Sequence, residues 1–146
     1  MDGGGSGFRN PALTVDGVVV HDAPEGPRVL LVERGREPFR GAWALPGGFV
    51  DYGEDIDDAI GREIREETGL EGLDFRQFRT YGRPGRDPRG HTVSVVYIAR
   101  VTGPAPEARG GDDAAAAAWH PIDRLPPLAF DHGLIVAEAL RTLDPA

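Results

Sequence analysis

The segment Gly47-Gly-Phe-Val-Asp-Tyr-Gly-Glu-Asp-Ile-Asp-Asp-Ala-Ile-Gly-Arg-Glu-Ile-Arg-Glu-Glu-Thr-Gly-Leu70 constrains this chain more than any other. Proline is absent from Glu54 to Thr68, and Ile56, Ala59, Ile60, Ile64 and Thr68 recur at intervals of three and four. That periodicity predicts an amphipathic helix of about four turns, with a mostly apolar stripe turned to a core. Gly69 stands where a left-handed residue would end it. Glu63, Glu66 and Glu67 fall within an arc of about 100° beside the stripe, because each residue advances ~100°. Like charges at that spacing destabilise a bare helix, so a cation has to compensate them. Two sources exist. Arg62 lies four residues before Glu66 and can pair with it, whereas Glu63 and Arg65 are two apart and diverge. The other source is a bound metal ion.

Charge and composition favour the metal. From Glu54 to Glu67 the chain has seven acids and two arginines. A polyphosphate would be repelled from such a face unless metal ions screened it. The candidate ligands are all oxygens and the chain has no cysteine, which points to Mg²⁺ or Mn²⁺ and away from Zn²⁺. The whole chain has 24 acidic and 16 basic residues, a net charge of −8, so nucleic acid and anionic membranes are not its expected partners. Every basic residue is arginine. Without lysine there is no Walker A loop and no Schiff-base chemistry. Without cysteine there are no disulfides and no thiol nucleophile. No apolar run approaches a membrane span, and the first residues carry no export signal, so the expected location is cytoplasmic.

The 146 residues suit one domain with a proper core. Residues 1–9, which include Asp2-Gly-Gly-Gly-Ser-Gly7, read as a flexible leader, and 10–146 as the domain. Residues 12–22 and 29–32 read as paired strands around a Pro24–Pro27 turn. Short extended pieces at 42–45 and 49–50 flank Pro46-Gly47-Gly48. Strands follow at 73–81 and 92–101, with a loop over 82–90 between them. Ala114 to Trp119 is ambiguous: its alanines favour helix, while its place before Trp119-His120-Pro121 favours a short strand. Asp131 can cap a last helix over about 132–143. Helices and strands interleave around one central helix, which makes the class α/β with a mixed sheet.

Reading on from Gly48, five residues lead to Glu54 and seven more to Arg62, after which Arg62-Glu-Ile-Arg-Glu-Glu-Thr-Gly-Leu70 runs without a gap. This resembles the signature of the Nudix hydrolases, and every fixed position matches. The outer stretches Asn10–Gly17, Glu37–Val50, Arg86–Ser94, Gly111–Asp113 and Leu128–His132 are similar to the ADP-ribose pyrophosphatase branch. One departure stands: the position downstream of the signature where such enzymes often have a proline is straddled here by Pro84 and Pro88 and not occupied by either, which leaves the substrate open. The resemblance implies an α/β/α sandwich with a mixed central sheet, and a homodimer. It also implies metal-dependent hydrolysis of the pyrophosphate of ADP-ribose or a related nucleoside diphosphate-linked molecule. Triphosphate cleavage on the same fold and non-catalytic nucleotide sensing are the alternatives.

Carried over by position, the metal ligands would be Glu63, Glu66, Glu67 and the Gly47 carbonyl. Arg62 would brace the carboxylates and Glu54 would help fix the helix start. Glu63 is the first candidate for general base, with Asp112 and Asp113 as alternatives outside the signature. Arg83, Arg86 and Arg89 crowd one loop, and with Arg34 they offer guanidinium forks to phosphate. A solvated loop would explain the three equally well. Phe8 and Phe130 could sandwich a base. Trp43 reads as packing, and His21, His91, His120 and His132 lack metal spacing and read as structural.

Overall fold

The computed structural model describes residues 9–111 and 114–143. Leader residues 1–8, with Phe8, and the pair Asp112-Asp113 lie outside the described residues. The elements run β1 (Ala12–Ala23), β2 (Gly26–Arg34), β3 (Trp43–Ala44), β4 (Gly47–Phe49), α1 (Ile56–Thr68), β5 (Arg76–Tyr81), β6 (Thr92–Val101), β7 (Ala114–Pro121) and α2 (His132–Leu143).

Seven strands form one mixed sheet in the order β3-β2-β1-β6-β5, with β4 added to β1 and β7 to β2. Among the described strand pairs, only the central one, β1 and β6, is parallel. Strand β1 is an almost unbroken buried run from Thr14 to His21 because both of its faces are covered. Alternation along it assigns the two cores. Val15 and Val19 join Leu30, Val95 and Tyr97 beneath Ala59, Ile60 and Ile64 of α1. Val18 and Val20 join Val29, Leu31 and Val96 beneath Ile135, Val136 and Ala139 of α2. One helix covers each face, as the expected α/β/α sandwich requires.

Helix α1 begins later than expected. Asp55 is its N-cap, accepting from the Asp57 amide, and Glu54 lies outside. Gly69, at φ 80°, ends the helix in the left-handed conformation. The alanine-rich segment is strand β7: pairing with β2 from Arg28↔Pro121 to Arg34↔Ala114 overrides the helical propensity of alanine. The strand expected over 73–81 starts at Arg76, with Leu73 and Phe75 instead packed on the α1 side of the core. Asp131 supplies the carbonyl for Ile135 at the start of α2, but its carboxylate is committed to Arg86.

What creates a site is a parting of strands. β1 pairs with β2 only over Val20–Ala23, and its first half, Thr14–Asp16, pairs with β4 instead. β2 meanwhile pairs with β3 at Val32 and Glu33. The β3–β4 connection, Leu45-Pro46, is wedged where the two strands diverge. No helix among the described residues is long and apolar enough to cross a membrane.

Candidate active site

A cavity of about 320 Å³ opens at this parting. Asp16 and Thr14 of β1, Gly47, Gly48 and Phe49 of β4, and Glu63 and Glu67 of α1 form part of its lining, with Asp51 from the intervening loop. The lining also includes Arg34, Arg36, Arg86, Asp87, Arg89, Phe130 and His132. It therefore combines a carboxylate set with an arginine and aromatic set.

Arg62 organises the carboxylate set. Its Nε and Nη2 donate to the two oxygens of Glu54 at 2.7 and 2.9 Å, and Nη1 reaches Glu63 at 2.9 Å and Glu66 at 3.1 Å. Nη2 also donates to the Phe49 carbonyl. The guanidinium thus ties the helix to the loop before it, and Glu54 acts from that loop. The same contact, helped by the Asp51 amide, holds the Glu54 carboxyl down to about 2. Burial pushes the Glu63 carboxyl up from its ordinary value, against the pull of Arg62.

The glycine pair is a steric requirement of this arrangement. A Cβ on Gly48 would lie 2.6 Å from the Glu63 carboxyl, and one on Gly47 would lie 2.2 Å from the Val15 carbonyl oxygen. The Gly47 amide donates to Glu67 Oε1 at 2.9 Å. Gly17 N–H to Pro46 and Val50 N–H to Leu13 set the β1–β4 ladder. By the alternation of antiparallel bonds, Gly47 then turns both its N–H and its C=O away from β1, toward α1.

Among the described residues, no three acidic or histidine side chains are gathered around one point. Glu63 and Glu66 are turned to Arg62 and Glu67 to Gly47. The donor set nevertheless fits a hard divalent cation. Three carboxylates on neighbouring turns and one outward backbone carbonyl are all oxygen donors. Glu63 and Glu67 face the cavity, while Glu66 stands beside it with its side chain 36% exposed.

The arginine set is more committed than the sequence revealed. Arg86 is clamped by both oxygens of Asp131, at 2.7 and 2.8 Å, and its side chain is only 5% exposed. Arg89 pairs with Asp87; burial works against the Asp87 charge, yet the bonds from Arg89 keep its carboxyl below the ordinary value. The Arg89 guanidinium also lies 5.1 Å from the Phe49 ring and 5.6 Å from that of Phe130. Arg34 stacks on Phe130 at 5.0 Å and donates to the Pro38 carbonyl. Arg83 lies apart, beside a second hollow near β5 and α2. Trp43 packs edge-on against His120, as expected of a packing residue.

The sequence did not single out Asp16, Asp51 and Arg36, which line the cavity, and His132, read as structural, lines it too while holding the Leu45 amide. Asp16 is 7% exposed and takes the Ser94 hydroxyl. A lone acid inside an apolar strand was the signal that could have found it. Burial pushes the pKa of the His132 imidazole below its ordinary value, against the pull of Asp16, and His132 accepts the Leu45 amide on Nδ1 at 3.0 Å.

The NUDIX domain model matches residues 11–140, and the chain belongs to the Nudix family as a Nudix hydrolase. Its similarity runs to the ADP-ribose pyrophosphatase branch. It is 43% identical over 134 residues to an ADP-ribose pyrophosphatase of Methanocaldococcus jannaschii, covering 92% of this chain and 76% of that one. It is 31% identical to the ADPR responsive transcriptional repressor NtrR of Acinetobacter baylyi, covering 95% of this chain and 57% of the repressor. Among solved structures, the NUDIX domain of Shewanella oneidensis NrtR complexed with ADP ribose superposes with a TM-score of 0.89 at 32% identity, covering 96% and 93% of the two chains.

Proposed function

We propose that this Nudix hydrolase cleaves the pyrophosphate bond of ADP-ribose or a related nucleoside diphosphate sugar, with Mg²⁺ or Mn²⁺ as cofactor. The observation that carries the reading is one cavity lined by both carboxylates and arginines. A nucleoside diphosphate sugar has a dianionic centre flanked by a flat base and a sugar. The arginines Arg34, Arg36 and Arg89 match the phosphoryl charge, and Phe49 and Phe130 offer faces to a base. The carboxylate set would repel the same molecule without cations. The similarity to an ADP-ribose pyrophosphatase and to an ADP-ribose-bound domain supports this choice of substrate.

In this reading Glu63, Glu66, Glu67 and the Gly47 carbonyl hold the metal. When bound, the metal neutralises the phosphoryl oxygens and makes water a better nucleophile. Arg62 keeps Glu63 and Glu66 oriented, and Glu54 keeps Arg62 in place. Glu63 is the first candidate to take a proton from the attacking water. Asp112 and Asp113 remain the alternatives. Arg34 and Arg89 hold the substrate phosphates and Phe130 the base, so that positioning and charge supply most of the rate.

A second reading, a ligand-sensing domain without turnover, is favoured by the 31% identity to an ADPR responsive repressor. A panel of ADP-ribose, other ADP-sugars, dinucleotides and triphosphates, assayed with Mg²⁺, with Mn²⁺ and with EDTA, separates the readings. The proposal expects the highest kcat/KM on ADP-ribose or another ADP-sugar, and none in EDTA. Preference for triphosphates would replace the substrate. Tight ADP-ribose binding without turnover would favour the sensor.

A further inference from the structure

We infer that His132 is a positioning residue for the metal-binding turn, holding Leu45 and thereby the direction of the Gly47 carbonyl. This rests on the proposed role of that carbonyl as a metal ligand. The turn Leu45-Pro46-Gly47 has few polar handles. Pro46 has no N–H, and its carbonyl is held by the Gly17 amide at 2.9 Å. The Gly47 amide goes to Glu67 Oε1, a member of the proposed ligand set. The Leu45 amide goes to His132 Nδ1 at 3.0 Å in a fully buried bond. His132 is thus a side chain that tethers this turn without belonging to the proposed ligand set.

The tether is rigid. His132 is 5% exposed and opens α2, whose Ile135, Val136 and Ala139 are locked against the sheet. Because Nδ1 accepts, the proton sits on Nε2, which faces Asp16 Oδ1 at 4.0 Å. The other Asp16 oxygen takes the Ser94 hydroxyl. Asp16 is also the residue opposite Gly47 in the β1–β4 register, and its Oδ1 would lie 2.4 Å from a Cβ there. The imidazole and its facing carboxylate therefore flank the turn, one at Leu45 and the other at Gly47. A shift of the imidazole would turn the Leu45–Pro46 and Pro46–Gly47 peptide units, and the Gly47 carbonyl, in the next unit, would be redirected through the Gly47 backbone. Groups that orient a metal ligand without touching the metal typically affect affinity by about 10–100-fold.

The test is Mn²⁺ binding by the intact chain, followed by the electron spin resonance of free Mn²⁺, with thermal melting alongside. His132→Leu removes the acceptor and should weaken Mn²⁺ binding about tenfold or more. His132→Asn places an amide oxygen close to the Nδ1 position and should stay near the wild-type affinity. His132→Gln carries its amide past Leu45 toward Asp16, to whose carboxylate its NH2 can donate, and should behave like the leucine variant, which keeps the test decisive if His132→Leu does not fold. Val136→Ala, buried in the same helix, should lower Tm with unchanged Mn²⁺ affinity. Wild-type affinity in both His132→Leu and His132→Gln, or in His132→Gln alone where His132→Leu does not fold, would overturn the inference. So would loss of affinity in His132→Asn equal to that in His132→Gln. No Mn²⁺ binding by the wild type would overturn the metal assignment itself, and this inference with it.

Discussion

Alanine at Gly48 should separate activity from stability. The added Cβ would lie 2.6 Å from Cδ, Oε1 and Oε2 of Glu63. Carbon atoms settle at about 3.5 Å, so the carboxyl must withdraw by roughly 0.9 Å. Gly48 is not among the positive-φ glycines, and alanine adds no backbone strain. The group displaced is the end of a flexible side chain, which can move for about 0.5–1.5 kcal/mol of rotamer strain. At about 2–4 °C per kcal/mol for a chain of this size, Tm should fall by no more than about 6 °C. Activity should suffer far more, because a misplacement of about 1 Å in a catalytic group costs about 10²-fold. Gly47→Ala is the contrasting case. Its Cβ would meet the Val15 carbonyl at 2.2 Å and the Asp16 Cα at 2.8 Å, backbone atoms that yield only if β1 and β4 part. It should cost about 3 kcal/mol or more. Melting curves and ADP-ribose turnover at saturating Mg²⁺ test both variants. Near-wild-type turnover by Gly48→Ala would refute the importance of Glu63's position, and equal Tm losses in the two variants would refute the steric argument.

Three further outcomes are expected. Glu67→Gln keeps an oxygen for the Gly47 amide, so the fold should persist while turnover drops at least ~10²-fold; near-normal turnover would sink the metal assignment. Glu54, held down to about 2 from 4.5, binds fewer protons folded than unfolded, so its contribution to stability is present above pH 4.5 and fades as pH falls toward 2. Acid titration of Glu54→Gln should therefore show a flatter loss of Tm over that window, and an unchanged acid limb would contradict the pairing. If Glu63 is the base, Glu63→Gln should lose ~10²–10⁴-fold in kcat while Asp112→Asn and Asp113→Asn change little; metal titration of each variant separates lost base from lost metal, and a reversed ranking would move the role to the loop.

Much of the frame was legible because it depends on local pattern. Helix α1 announced itself through Ile56, Ala59, Ile60 and Ile64, with Gly69 to stop it, and residues 12–22 read as a strand paired with the one after the Pro24–Pro27 turn, as β1 and β2 are. Ala114–Trp119 was not legible, since alanine says little and the pairing with β2 decides. The site divides in the same way. The spacing of Arg62, Glu63, Glu66 and Glu67 is local, and the Arg62–Glu66 pair was expected and is present at 3.1 Å. The Arg86–Asp131 clamp joins residues 45 positions apart and the Asp16–Ser94 bond residues 78 apart. A loop of three arginines therefore looked uniform in sequence, although Arg86 is buried in a clamp, Arg89 is stacked at the cavity and Arg83 lies beside a different hollow.

The central claim is that water attacks one phosphorus of a nucleoside diphosphate sugar in this cavity. Its most direct measurement is the reaction of the wild-type chain with ADP-ribose and Mg²⁺ in ¹⁸O-water, with products weighed by mass spectrometry. The account predicts AMP and ribose 5-phosphate in equal amounts, with the label in one of them. Intact ADP-ribose under both Mg²⁺ and Mn²⁺, or products with label in neither, would contradict it.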